Sequence, residues 1–135
     1  MTVSTTVTDQ RGYFKIALTG AVSAANAGLG EIANPEGVTL GITRAFIYAR
    51  TGSTGAANLD IGIGASGAKA SDVASAMDVI EATVGGELIY LPAAQAAETE
   101  SPTALWTSGT YLTFTGSADT TGLDADVFVE YIRLA

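Results

Sequence analysis

The sequence predicts a mainly β domain, an antiparallel sandwich or a barrel, with one short helix around residues 71–81. Three observations carry this expectation. Apolar and polar residues alternate over short runs, which is the period of a strand with one buried face. Clusters of Gly, Thr, Ser, Asn and Asp separate those runs, as turns do. Only one stretch spaces its apolar residues as a helix would, so strands do not alternate with helices and a parallel α/β sheet is disfavoured.

Residues 1–12 read as an N-terminal arm and residues 13–135 as a single sandwich domain. The arm begins MTVSTTVTDQ, β-branched but polar, and Gly12 offers a hinge before the first strand. Residues 11–18, RGYFKIAL, set Phe14, Ile16 and Leu18 on one face and Tyr13, Lys15 and Ala17 on the other. Residues 21–30, AVSAANAGLG, are small and punctuated by glycine, hence a loop. Asn34-Pro35-Glu36-Gly37 is a turn, because proline presets φ and glycine accepts a positive one.

The longest β segment is residues 38–50, VTLGITRAFIYAR. Strict alternation puts Val38, Leu40, Ile42, Phe46 and Tyr48 on one face, yet Arg44 falls in the same row, so a bulge near residues 41–44 is expected to re-aim the side chains. After the turn cluster TGSTGAA, Leu59, Ile61 and Ile63 alternate with Asp60, Gly62 and Gly64 in a half-polar strand. In residues 71–81, SDVASAMDVIE, Ser71 caps a helix, Asp72 suits its positive end, and Val73, Ala76, Met77 and Ile80 share a face. Residues 87–91 form a short strand stopped by Pro92, and residues 93–103 a loop or single helical turn. LWTSGTYLTFT at 105–115 is strand material around a Ser-Gly turn, and ADVFVEYIRL at 125–134 is a closing strand.

Composition narrows function mainly by exclusion. The 135 residues contain neither Cys nor His, which removes disulfides, thiolate metal sites and the commonest general base. Six basic against 14 acidic residues give a net charge of −8, which disfavours nucleic acid and anionic membranes as partners. Residues 1–10 lack the basic start and apolar core of a secretory signal, so synthesis and assembly in a cytoplasm are expected.

Several motifs invite sharper readings. Gly62, Gly64 and Gly67 make a G-x-G-x-x-G, the dinucleotide fingerprint, but Asp60 interrupts the strand that should be apolar and the helix cap comes too late. The glycines are expected instead to let a strand end pack closely, with no cofactor bound. Ser66 and Lys69 match S-x-x-K without the companion motifs that chemistry requires. Asp119, Asp124 and Asp126 are oxygen ligands close enough in sequence to hold a cation, although solvated turn acids explain them as well. Arg44 and Arg50 are candidate interface anchors or partners of sheet-surface carboxylates; Trp106 is a candidate interface residue or core. Carboxylates such as Glu98 and Glu100 show no tuned pairing, and no catalytic or metal set emerges, so no enzyme is expected.

The stretch NLDIGIGASG…ASDVASAMDVI, followed by LWTSGTYLTFTGSADTTGLDADVFVEYI, resembles small virion structural proteins of tailed bacteriophages. The shared pattern is an alternating D-I-G-I strand, a short Ser-Asp-started helix, an aromatic-Gly-Tyr hairpin and a closing V-x-V-E-Y strand, clearest from Leu59 to Tyr131; ELIYLP departs from it. The resemblance implies a jelly-roll-like β-sandwich on the outer surface of the head, a capsid decoration (cement) protein whose partners are the major capsid protein and copies of itself, with a trimer favoured. It carries over no catalytic residue. Rival readings are a tail, fibre or baseplate component and a small carbohydrate-binding sandwich with Trp106 and Tyr111 as its handle. Val3 and Val7, in the arm, are further candidate docking residues, since the arm is ready to add as a strand to a neighbour.

One expectation is tested directly by ligand titration. NAD, NADP, ATP or FAD at millimolar concentration leaves the melting temperature unchanged, whereas a ligand at about 100 times its Kd would add about 2.7 kcal/mol. A reproducible shift abolished by Gly64→Val would restore the dinucleotide reading.

Overall fold

Two antiparallel sheets pack face to face in a computed structural model that describes residues 10–19, 27–91 and 104–134. Among the described residues the elements are β1 (Arg11–Thr19), β2 (Ala27–Ala33), β3 (Leu40–Thr51), β4 (Asn58–Gly64), β5 (Ala74–Asp78), α1 (Glu81–Val84), β6 (Leu88–Leu91), β7 (Ala104–Trp106), β8 (Tyr111–Gly116) and β9 (Asp124–Arg133). The first sheet runs β1-β9-β3-β6, with β7 continuing β6 along the same edge of β3; the second runs β2-β8-β4-β5. The pairings β1 with β9, β2 with β8, β3 with β6 and β7, and β4 with β5 are nested, like one long hairpin rolled over itself. This is the jelly-roll-like order, and the mainly β sandwich with one short helix is the fold expected from the sequence.

Alternation explains which side chains meet between the sheets. In β1, Ile16 and Leu18 are buried and Tyr13 and Lys15 exposed; in β9, Ala125, Val127, Val129 and Tyr131 are buried. Leu59 and Ile61 of β4 and Leu112 and Phe114 of β8 face them from the second sheet. Trp106 closes one end of this core, fully enclosed, with its ring 5.9 Å from Phe14 and its indole N–H donating to the Thr110 carbonyl at 3.1 Å.

The expected bulge in the long strand exists, and it reverses the faces. Pairing of β3 with β9 slips between Ile42 and Arg44, leaving Thr43 as the extra residue. Leu40 and Ile42 point into the core ahead of the slip; beyond it the inward row is Ala45, Ile47 and Ala49. Phe46 and Tyr48 therefore lie on the outer face with Arg44, not with Leu40 and Ile42 as strict alternation grouped them. A one-residue slip moves every later side chain to the other face.

Four other expectations are corrected. Residues 71–81 are not a helix: β5 occupies that stretch, with Val73, Ala74, Met77 and Val79 buried, and the single helical turn comes later at Glu81–Val84. β5 pairs with β4 around a bulge between Leu59 and Ile61, where Ala76 adopts φ +51° and its N–H donates to the Asp60 carboxylate at 2.7 Å. That contact, 16 residues away in sequence, stabilises a backbone that a helix propensity cannot anticipate. β2 begins at Ala27, inside the stretch read as a loop; its small residues and the bulge between Gly28 and Gly30 hide the alternation. Arg11 and Gly12 belong to β1, and Gly12 is no hinge: it lies under the Tyr131 ring, where a Cβ would come within 2.6 Å of Cζ. Lastly, β7 and β8 do not pair as a hairpin, because the turn at Ser108-Gly109 carries the chain from the first sheet to the second. The Asn34 turn is as expected: its Oδ1 accepts the N–H groups of Glu36 and Gly37, and Gly37 has φ +71°.

Gly62 and Gly64 sit inside β4, and no helix follows Gly67 where a pyrophosphate would need one. The close packing expected of these glycines is real. A Cβ on Gly62 would overlap the Ala70–Ser71 backbone, and one on Gly64 would approach the Ala68 Cβ to 2.8 Å. Gly62→Ala should therefore lose about 1–3 kcal/mol, lowering the melting temperature by roughly 3–12 °C. Gly55→Ala, with open space around its Cβ, should stay within about 0.5 kcal/mol of the parent. Equal melting of the two variants would contradict the packing.

Candidate functional site

The reversal in β3 builds an apolar band across the outside of the first sheet. One row runs Lys15, Phe128, Phe46, Tyr90 across β1, β9, β3 and β6; the next runs Ala17, Asp126, Tyr48, Leu88. Phe46 and Tyr90 pack at 5.4 Å between centroids, tilted by 51°. Phe46, Tyr48, Leu88 and Phe128 line a shallow groove of about 550 Å³. The band is open to solvent: Leu88 is 62% exposed, Tyr90 44%, Phe128 38% and, one row away on β1, Tyr13 80%. So many neighbouring aromatic and leucine side chains on one outer face exceed the scattered apolar residues of an ordinary surface.

Ion pairs close both ends of the band. At one end Arg44 Nε lies 3.2 Å from Glu130 Oε1, which also accepts the Thr43 hydroxyl at 3.0 Å. At the other, Arg50 reaches Asp124 Oδ1 and Asp126 Oδ2, each at 2.6 Å. Hydrogen bonds from Arg50 hold both aspartates below the usual carboxylate range, and the pair in turn raises the Arg50 pKa. Glu130 is lowered by the Thr43 hydroxyl first and by Arg44 second. Such pairs contribute little to stability in water, but they fix the guanidinium groups along the rim of the band.

The sequence-predicted residues divide between this face and other places. Arg44 and Arg50 flank the band, each on a carboxylate of the sheet surface. Trp106 is core and offers nothing to a partner. Val3, Val7, Glu98 and Glu100 lie outside the described residues. Asp119 stands apart from Asp124 and Asp126, accepting the Thr121 N–H at 2.9 Å, while the other two are engaged by Arg50. Among the described residues no three potential ligands converge as a metal would require. Ser66 Oγ donates to Glu31 Oε1 at 3.0 Å, beside a small cleft of about 180 Å³ lined by Gly28, Gly30, Lys69 and Thr113. No described helix is long and apolar enough to cross a membrane.

The sequence reading missed Phe46, Tyr48, Leu88, Tyr90 and Phe128 as surface residues. The signal was present in part, since a bulge before Phe46 must turn it outward if Leu40 points inward.

The carboxylates are engaged in architecture. Every described Asp and Glu except Glu87 accepts a hydrogen bond within the chain. Asp60 takes the Ala76 N–H, Asp72 that of Ile63, Asp78 that of Ile80, Glu81 that of Gly52 and Glu31 that of Gly67. Glu36 holds the Tyr131 hydroxyl at 2.6 Å and Arg133 at 2.7 Å. No family model, no curated protein and no solved structure matches this chain.

The Arg50 cluster makes stability depend on pH with a definite sign. Asp124 and Asp126 ionise more readily folded than unfolded, so their contribution is present above their ordinary value of 3.8 and is lost as pH falls through the lower folded value. The melting temperature should fall between about pH 5 and pH 3, and Arg50→Met should flatten that fall while lowering the melting temperature near pH 7. An unchanged acid slope in the variant would remove the cluster from the account.

Proposed function

We propose that this chain is a non-enzymatic structural protein of a tailed-phage virion that decorates and stabilises the outer surface of the head as a homo-oligomer bound to the major capsid protein. The observation that carries this reading is the contrast between two kinds of surface. Among the described residues every carboxylate but Glu87 is held in a hydrogen bond within the chain, while exposed aromatic and leucine side chains gather in an apolar band suited to docking. The jelly-roll-like order supports it more weakly, because capsid domains, lectins and cupins share that architecture. The likeness of residues 59–131 to phage virion proteins favours the first of these. A net charge of −8 suits a position outside a DNA-filled shell, where the protein does not compete for packaged nucleic acid. Burial of Trp106 removes one of the two handles of the carbohydrate-binding alternative and leaves it the half-buried Tyr111.

Quantitative mass spectrometry of purified virions tests the proposal. A head decoration is present at on the order of hundreds of copies per particle, as shell symmetry dictates, and immunogold label falls over the head. A handful of copies with label at the tail tip selects a tail, fibre or baseplate role, and absence from the virion removes the proposal altogether.

A further inference from the structure

We infer that the outer face of the first sheet is a contact between two copies of this chain, packed face to face about a two-fold axis. The inference assigns to self-contact the apolar band on which the virion role also draws, and its test reads the occupant of the band without reference to any particle.

Charge selects the partner. The outward side chains of the first sheet include four of the six basic residues, Arg11, Lys15, Arg44 and Arg50, and only three of the 14 acidic ones, Asp124, Asp126 and Glu130. The other described residues hold two basic side chains, Lys69 and Arg133, against eight acidic ones. Among the described surfaces this face is thus the one where two copies approach with the least like-charge repulsion. The charges on the face are also ordered along the strands. The Arg44–Glu130 pair at one end balances to zero, and Arg50 with Asp124 and Asp126 leaves the other end negative. Lys15 lies between them, close enough to act on Asp126. A two-fold axis in the plane of the face and perpendicular to the strands sets the acidic end of each copy over the Arg44–Glu130 end of its partner, so the two acidic ends do not meet and the pattern is self-compatible.

The dimensions agree. Three strands of about nine residues and the four-residue β6, about 4.8 Å apart at about 3.4 Å per residue, give a footprint of roughly 500 Å² before side-chain relief is counted. A standard interface buries about 800 Å² of accessible surface per partner. The composition is also that of an interface: Phe46, Tyr48, Tyr90 and Phe128 in the middle, with paired arginines and carboxylates at the rim. The contact forms a third layer boundary, sheet on sheet, by the same stacking that holds the domain together. It replaces the three-fold arrangement expected from the decoration class with a two-fold one.

Light scattering after size exclusion at about 100 µM, where an interface of standard size is populated, should give about 27 kDa, twice the 13.6 kDa chain. The double variant Leu88→Glu/Phe128→Glu should run as a folded monomer, while Ala65→Glu/Ala82→Glu, on exposed positions elsewhere, should keep the dimer. Should the charged face variant fail to fold, the cysteine-free background gives a second reading. Leu88→Cys should react with a maleimide several-fold more slowly at about 100 µM than at about 1 µM protein, and Ala82→Cys at the same rate at both. A monomer at all concentrations, a trimer, a dimer that survives the double variant, or Leu88→Cys labelling independent of concentration would each overturn the inference.

Discussion

Pairing of β9 with β1 on one side and β3 on the other is the constraint on which the rest of the molecule depends. Among the described residues β1 has no other strand partner, so β9 is what holds it in the sheet. The strand fixes both faces at once. Its inward row of Ala125, Val127, Val129 and Tyr131 fills the middle of the core, and its outward row of Asp124, Asp126, Phe128 and Glu130 supplies one member of each outer-face feature. Its end is fastened as well. Arg133 and Tyr131 converge on Glu36, tying the turn after β2 to the sheet, and the Leu134 N–H bonds to the Thr39 carbonyl. A strand with this many obligations tolerates no slip of register, because a slip would exchange Phe128 for Val127 at every contact.

The outer face follows from a second, smaller constraint acting within the first. β3 is long enough that a uniform alternation would have buried Arg44 or exposed Leu40. The single extra residue, Thr43, resolves the conflict, and its hydroxyl, donating to Glu130, ties the bulge to the neighbouring strand. Core and surface thus use different halves of one strand, aliphatic inward before the slip and aromatic outward after it. The aromatic residues are not a defect of packing, since the core is filled without them. Their exposure is a property that the chain maintains, with ion pairs at either end.

What was legible in the sequence depended on the range of the interactions involved. β1, β4 and β9 announce themselves because their alternation is set by one buried face and needs no knowledge of partners. The bulge was legible because Arg44 cannot sit beside Leu40 in a core. Residues 71–81 were not, since Val73, Met77 and Ile80 satisfy helical spacing as well as a strand does. The deciding contact is Asp60 with the Ala76 N–H across a bulge. β2 escaped for a related reason: at a sheet edge, with Gly28 and Gly30 in it, it has little alternation to show. At the candidate site, Arg50 stood out as an unusual charge, but its partners Asp124 and Asp126 lie 74 and 76 residues away, beyond what local pattern conveys.

The separation of β1 from β9 also sets a schedule. Arg11 and Asp124 are far apart in the chain, and at about 5–20 residues per second of synthesis β9 emerges roughly 6–20 s after β1. For that interval the nascent chain holds β1 and β3 without the strand that lies between them, although β3 already has β6 and β7 to pair with and the second sheet, β2-β8-β4-β5, is complete in sequence before β9. The second sheet can therefore form first, and the first sheet closes last, when its most distant pair meets.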